Sequence, residues 1–504
     1  MLDSYNKILT LPFGEYYSVF KKLIVAGRKN KNWDVHSVAI SKDFKPFVQF
    51  LDSDKKLLVA PDFQIKQEWE DHVEQVAAIQ KLMTSAEFKA GVPLSRILLS
   101  CERDIGRAYS KSTYYWPELD ITRKVLKDKK SIDAILMRAF KYANDVITQV
   151  KPELCLGAAP SGLINGVFYF LSQHYGIPYI ACMLSATAPG SHYWSQSWGS
   201  FNRLTNEIFQ KKLDNNSKPT SFSVEHIDNF RKMPEPLPIY KKIWRNEKTG
   251  SFYGVSKLVV QRLIFRLVPI LKGVKVLNPK PFFSTAIDLY RIYFLRKIQD
   301  KFYMNYTGGE LSSFKYLYYP MHQDPEFVLN VRGTFWYNQL NTIRMLSYNL
   351  PVGFKLIVRE HRNNVGRRST RYLKEISRLP GVVLVDAYDD QYKYINNAEL
   401  IVTVNGSTGL EGLLLKKNVL TLDKTAYDAL NMTYKVSDPS QFGDLILKAI
   451  KTEARSKDYD QKLALFYDAE REASFPDDAD PMDEISHIVK LLNKTDTRIP
   501  DEVC

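Results

Sequence analysis

The stretch from Thr403 to Leu422, TVNGSTGLEGLLLKKNVLTL, sets a short polar turn between two apolar runs. Asn405 and Gly406 tolerate the tight backbone of a strand that turns at once into a helix. Ser407 or Thr408 is expected to cap that helix, with Gly409 in the same turn. The first-turn N–H groups and the positive end of the helix dipole would then form a site for a phosphate. Glu411 falls about one turn in, where a carboxylate can accept hydrogen bonds from a ribose diol. A plain capped turn, with Glu411 favouring the dipole, fits the same spacing, so spacing alone leaves both readings open.

Two further segments carry candidate chemistry in the second half. In VREHRNNVGRR, Arg359, Glu360 and His361 lie just past the end of the apolar run FKLIV. His361 could donate to a phosphate or, if protonated, neutralise the charge of a departing nucleotide. Arg362 adds positive field, while Arg367 and Arg368 read better as a solvated basic loop. In YYPMHQDPEF, Asp324 and Pro325 read as the cap and first residue of a helix. His322, Gln323 and Glu326 are left as cleft candidates.

The first half offers SCERDIGRAY, with Glu102, Arg103 and Asp104 after an expected strand. A carboxylate there suits acid, base or nucleophilic work across a sugar, and a surface ion-pair loop fits as well. Ser161 and Gly162 of APSG, and His192 of SATAPGSHYW, are candidates for the acceptor side of a cleft. There is no HExxH and no GxSxG, and the acidic run FPDDADP reads as a solvated loop in a tail. No metal and no cofactor is expected.

These residues need a scaffold, and the pattern of the chain supplies one. From Lys315 to Ile450, KYLYYPM, FKLIVRE, GVVLVD, ELIVTV and NVLTLD read as buried strands. They alternate with helices, including a long one from Pro325 to Leu346. Near-continuous apolar strands alternating with helices imply a parallel sheet covered on both faces, a Rossmann-like domain. The first half repeats this less cleanly. RILLSCE (96–102), PELCLGAAP and GIPYIACML read as strands, with VHSVAIS and KLLVA as earlier ones. The expected fold is α/β, with two Rossmann-like domains facing a cleft in the two-lobed arrangement called GT-B. The expected divisions are 1–235 (acceptor side), 236–305 (a basic amphipathic connection), 306–450 (nucleotide-sugar side) and 451–504 (C-terminal helices and tail).

At 504 residues, 45% apolar and 25% charged, the chain is globular and long enough for two cores. Four scattered cysteines and the lack of a secretory start or a long apolar span favour a reducing, cytoplasmic setting. The net charge of +14 is concentrated. Residues 240–301 hold 14 lysines and arginines against three acids. A basic amphipathic helix there suits an anionic membrane surface, with a helical arm packed on the body as the plain alternative. No recognition motif for nucleic acid accompanies the charge.

The segment from Lys315 to Tyr427 resembles the capsule polysaccharide biosynthesis family, which includes transferases of the sugar acid Kdo. The resemblance rests on YYPMHQDPEF, on VREHRNN against a family Lys/Arg-Glu-His-Pro, and on TVNGSTGLEGLLLKKNVL against a T-x-x-G-S/T-T-G-L-E-A-L-L-x-G-K-P-V element. It implies nucleotide-sugar recognition by His361, Ser407, Thr408 and Glu411, with His322, Gln323 and Glu326 in the cleft. The chain departs from the family at His361-Arg362, where the family has His-Pro. It departs again at Lys416-Lys417-Asn418, where the family has Gly-Lys-Pro. No Asp-Gly-Phe-like segment is present, so the family's catalytic carboxylate has no counterpart by motif. The resulting expectation is a metal-independent glycosyltransferase of surface polysaccharide synthesis. Its expected partners are a nucleotide sugar such as CMP-Kdo, a glycan or lipid-linked acceptor, and an anionic membrane surface. Rival readings are a nucleotide-sugar epimerase of the same architecture and a non-catalytic assembly or binding protein.

Overall fold

The computed structural model describes residues 5–12, 16–39, 57–59, 73–100, 129–160, 162–185, 190–196, 201–234, 251–271, 284–324, 326–452 and 456–493. Its first sheet holds β1 (Lys7–Leu11), β2 (Asp34–Ala39), β3 (Leu57–Val59), β4 (Leu154–Ala158), β5 (Tyr179–Leu184) and β6 (Ser191–Ser195). The short strand Phe475–Pro476 completes it, and the order runs Phe475–Pro476, β6, β5, β4, β1, β2, β3. β1 to β5 are mutually parallel, while β6 and the last strand run antiparallel to their neighbours. β4 is buried along its whole length and β5 along nearly all of it, as strands covered by helices on both faces must be.

The second sheet is wholly parallel. It comprises β7 (Lys315–Pro320), β8 (Phe354–Arg359), β9 (Val382–Val385), β10 (Leu400–Thr403), β11 (Val419–Thr421) and β12 (Tyr434–Lys435). Their order is β12, β11, β10, β7, β8, β9. Counted from β7, this is the 3-2-1-4-5-6 order of a doubly wound domain, whose ligands sit where the order reverses, between its first and fourth strands. That point falls between β7 and β10. In the first sheet the matching reversal falls between β1 and β4. The expected pair of Rossmann-like domains is therefore present.

Four local expectations change. Of the run at 96–102, expected as a strand, residues 96–100 lie in the helix Ser95–Ser100, and 101–102 lie outside the described residues. Ile97 is fully buried there, against Gly166 of the helix Leu163–Tyr175. A six-residue apolar run fits a buried strand or a buried helical turn equally, and tertiary packing chooses. The long helix expected from Pro325 to Leu346 is broken into a π-type turn (Val328–Arg332), a 3-10 turn (Thr334–Trp336) and the helix Gln339–Tyr348. Gly333 stands at the break, ending the first turn and starting the second. It packs so closely on the end of the second sheet that a Cβ there would lie 2.6 Å from Val404 Cγ1. Asn338, not Asp324, caps the helix that follows. The acidic run beginning at Phe475 is no loose tail, because Phe475–Pro476 pairs with β6.

The fourth change concerns the divisions of the chain. The helices Arg203–Asp214 and Ser221–Lys232, expected with the first domain, bury Phe209, Ile227 and Phe230 in a core shared with Tyr316, Ile357 and Ile401 of the second sheet. The helix Tyr459–Glu472 joins that core through Leu463 and Phe466. The last helix, Pro481–Asn493, returns to the first domain and packs Ile485 and Ile488 against Ile8, Phe20 and Trp194. Chain order and packing part here because elements far apart in sequence cover each sheet. The turn at 328–332 also meets the first domain, where Asn330 donates to Leu99 O at 2.8 Å.

The basic connection forms two helices, Phe252–Leu271 and Ser284–Gln299, packed on each other. Among the described residues no helix is long and apolar enough to cross a membrane.

Candidate functional site

The carboxyl ends of β7, β8 and β10 open onto one cleft. It is lined by His322, Gln323 and Glu326 after β7, Arg359 to Arg362 after β8, and Gly406 to Thr408 with Glu411 after β10. The cleft measures about 100 Å³. It stands at the point where the strand order reverses, so the sheet topology itself delivers these three loops to one place.

The helix after β10 spans Ser407–Leu414, and its N-cap is Gly406, with no side-chain cap. The expected cap by Ser407 or Thr408 is therefore corrected: both lie in the first turn. An N-terminus without a capping side chain leaves first-turn N–H groups for another acceptor. Gly406 is required by crowding. A Cβ there would lie 2.8 Å from His322 Cε1 and 3.0 Å from Thr403 Oγ1. Thr403 Oγ1 accepts from Gly406 N at 3.2 Å and lies 3.4 Å from His322 Nε2. Tyr427 closes the other side, donating to Gly406 O at 2.9 Å over the bare face of Gly409. Asn405 directs its amide toward Val328 O, into the turn that meets the first domain.

His322 is fixed through its backbone. Gln339 accepts from His322 N at 2.6 Å and donates to His322 O at 3.0 Å, copying a strand partner. Burial lowers the His322 pKa to about 4. His361 is lowered to about 3, first by burial and then by the neighbouring His322 and arginines. Both rings are neutral at neutral pH, so of the two expected roles of His361 the one that remains is donation to a phosphate rather than neutralisation by an imidazolium. Its tautomer follows from geometry. His361 Nδ1 accepts from Asn363 N at 3.2 Å, so the ring proton sits on Nε2, which can donate. Asn363 also donates to Gln323 Oε1 at 2.9 Å, tying the β7 loop to the β8 loop.

Arg368 is no solvated residue. It is 1% exposed, and its Nε donates to Glu360 Oε2 at 2.9 Å and its Nη1 to Asp324 Oδ2 at 3.3 Å. Glu360 also accepts from His361 N, so both its oxygens are spent inside the protein. Burial raises the Glu360 pKa against the pull of Arg368. Arg359 donates to the carbonyls of Ala387 and Asp389, which makes it a brace for the loop after β9. Glu411 is 2% exposed and accepts from Gln391 Nε2 at 3.0 Å. Gln391, the first residue of the helix Gln391–Asn397, lines the cleft and carries no motif. Its one sequence signal is its place after β9, on the same sheet edge.

The first-domain candidates are placed differently. Glu102, Asp104 and Ser161 lie outside the described residues. Gly162 has φ 81°, a conformation suited to glycine, at the start of the helix after β4. That is the reversal point of the first sheet. His192 does not reach a cleft. It is 1% exposed on β6, with Nε2 2.8 Å from Glu484 of the last helix. A larger trough of about 640 Å³ lies between the helices Ser221–Lys232 and Tyr459–Glu472. There Lys212 pairs with Glu472, and Asp468 accepts from Thr220 and Ser223. The smaller cleft, which gathers the loops at the carboxyl ends of β7, β8 and β10, is the better candidate.

No family model and no curated protein sequence matches the chain. Solved structures do resemble it. KpsC, a beta Kdo 2,7 transferase from Thermosulfurimonas dismutans, is 10% identical over 70% of this chain and 89% of its own, with a TM-score of 0.30. A UDP-GlcNAc 2-epimerase from Neisseria meningitidis, bound to UDP-GlcNAc, is 12% identical over 97% of this chain and 100% of its own, at 0.24. MnaA from S. aureus, solved with UDP, is 12% identical over 97% of each chain, at 0.29. Scores of this size leave the activity to be argued from the chain's own residues.

Proposed function

We propose that the protein is a glycosyltransferase that moves a sugar from a nucleotide-activated donor to a glycan or glycolipid acceptor of a surface polysaccharide. The observation that carries this reading is the cleft at the β7–β10 reversal, where a helix N-terminus without a capping side chain meets two neutral imidazoles. The donor's phosphate sits on the first-turn N–H groups at Ser407 and Thr408. His361 Nε2–H donates to the oxygen that gains charge as the bond from sugar to phosphate breaks. Glu411, held by Gln391, accepts from the ribose hydroxyls. Stabilisation thus comes from fixed dipoles and hydrogen bonds rather than from an imidazolium. The reactive carboxylate comes from the first domain, with Glu102 and Asp104 as the candidates. The family resemblance of Lys315 to Tyr427 supports CMP-linked Kdo as the donor.

A thermal-shift panel of CMP, UDP, GDP and their sugars tests this. One nucleotide should raise the wild-type midpoint by about 2–4 °C, and His361→Ala should lose most of that shift. If no nucleotide stabilises the wild type, the reading fails. Epimer formation in a donor-only reaction would replace it with an epimerase.

A further inference from the structure

Among the described residues, large exposed apolar side chains gather on the basic hairpin. Eight of nineteen lie between Phe252 and Ile298. They are ordered along each helix. In Phe252–Leu271, Tyr253, Val260, Ile264 and Leu267 recur at helical spacing on one face, with Lys257 among them. Val255 and Val259 fall on the opposite face and are buried. In Ser284–Gln299, Ile287, Phe294 and Ile298 line one face with Arg291, while Ile292 and Gln299 are buried opposite. Each helix therefore buries one side and turns an apolar stripe threaded with basic residues to solvent. The two are joined through Phe252 on Tyr290, and by Ser256 Oγ 2.9 Å from the Tyr290 hydroxyl.

We propose that this hairpin docks the protein on the surface of a bilayer containing anionic lipid. Exposed apolar stripes of this kind mark an interaction site. The charge selects the occupant. Residues 240–301 carry 14 basic against three acidic side chains, which suits anionic headgroups around an apolar face set at the acyl boundary. The hairpin is also braced on the candidate site. Gln299 donates to Arg368 O at 2.7 Å, and Ile292 fills the space over Gly366. The Arg296 guanidinium lies 4.0 Å from the Tyr388 ring centroid, and that of Arg362 lies 5.8 Å from it. Docking thus holds the loop carrying His361 at the membrane, where a lipid-borne acceptor would be presented. That last consequence rests on the proposed transferase function; the docking does not.

Flotation of the full chain with vesicles tests the docking, using phosphatidylcholine alone or with about one third phosphatidylglycerol. The protein should float with the anionic vesicles, less so in high salt, and stay behind with the neutral ones. The double variant Ile264→Glu/Phe294→Glu, at two solvent-facing positions, should bind about tenfold more weakly. Its nucleotide-induced thermal shift should match wild type, which separates failure of docking from failure of the donor site. The proposal is overturned if wild type does not float, or if the variant floats equally well. A wild-type dimer that the variant dissolves, without vesicle binding, would assign the stripes to a second copy and overturn it too.

Discussion

His322 and His361 face the cleft as neutral rings, with pKa values lowered to about 4 and about 3. Below the usual histidine value of about 6.5 the unfolded chain binds protons that the folded chain refuses, so stability must fall with falling pH. Unfolding free energy should be level above about pH 7. It should then decline by about 1.4 kcal/mol per pH unit for each histidine as pH drops from about 6 toward 4. Denaturant melts at stepped pH check this, and His361→Gln should flatten part of the acid limb. An unchanged slope in that variant would contradict the buried neutral ring. At this scale part of the site was legible: His322 and His361 each stand just beyond an apolar run where a parallel strand ends, and Glu411 about one turn into the helix that follows another. The protonation of the histidines was not legible. It depends on burial beneath loops from three strands, which no local window contains. Gln391 was hidden for a related reason, since its partner Glu411 is twenty residues away.

Between elements, Arg368 locks the β7 and β8 loops through Asp324 and Glu360, which lie forty-four and eight residues away. A run of arginines after a strand reads as solvent-facing, and the partners that bury this one are invisible until the sheet brings them together. Arg368→Met would leave the Glu360 carboxyl buried without its cation and hydrogen-bond donor. It should cost about 3–5 kcal/mol by urea unfolding, with partial recovery on adding Glu360→Gln. A loss below 1 kcal/mol would show that water replaces the pair. The departures from the family motif also find physical accounts. Lys416 holds φ 57°, a left-handed conformation that favours the family's glycine, and its Nζ pairs with Asp460 at 2.9 Å. Lys416→Gly should stabilise the protein by about 1 kcal/mol, less the small contribution of that exposed pair, as read from the denaturant midpoint. Asn418, in place of proline, donates to Ala449 O and Thr452 O and so caps the helix Phe442–Lys451. A ring there could make neither bond.

Across the whole molecule, the alternation of apolar runs and helices foretold five of the second sheet's six strands, β7 to β11, and missed the two-residue edge strand β12. β1 escaped because KILTL is too short and too mixed to stand out beside its neighbours. The division of the chain was the least legible property. Helices at 203–232 and 459–472 cover the second sheet, while the last helix returns to the first. Such exchange follows from which surfaces need covering rather than from order along the chain. Its consequence is that one cleft and one basic hairpin share a frame through Gln299, Ile292 and Arg296. The central claim is that the β7–β10 reversal holds a nucleotide sugar by its phosphate. The most direct test is a crystal structure with the nucleotide that gives the largest thermal shift. The account predicts a phosphate oxygen within hydrogen-bonding distance of the N–H groups at Ser407 or Thr408 and of His361 Nε2. A nucleotide bound elsewhere, such as in the trough beside His226 and Tyr467, with this cleft holding only water, would contradict it.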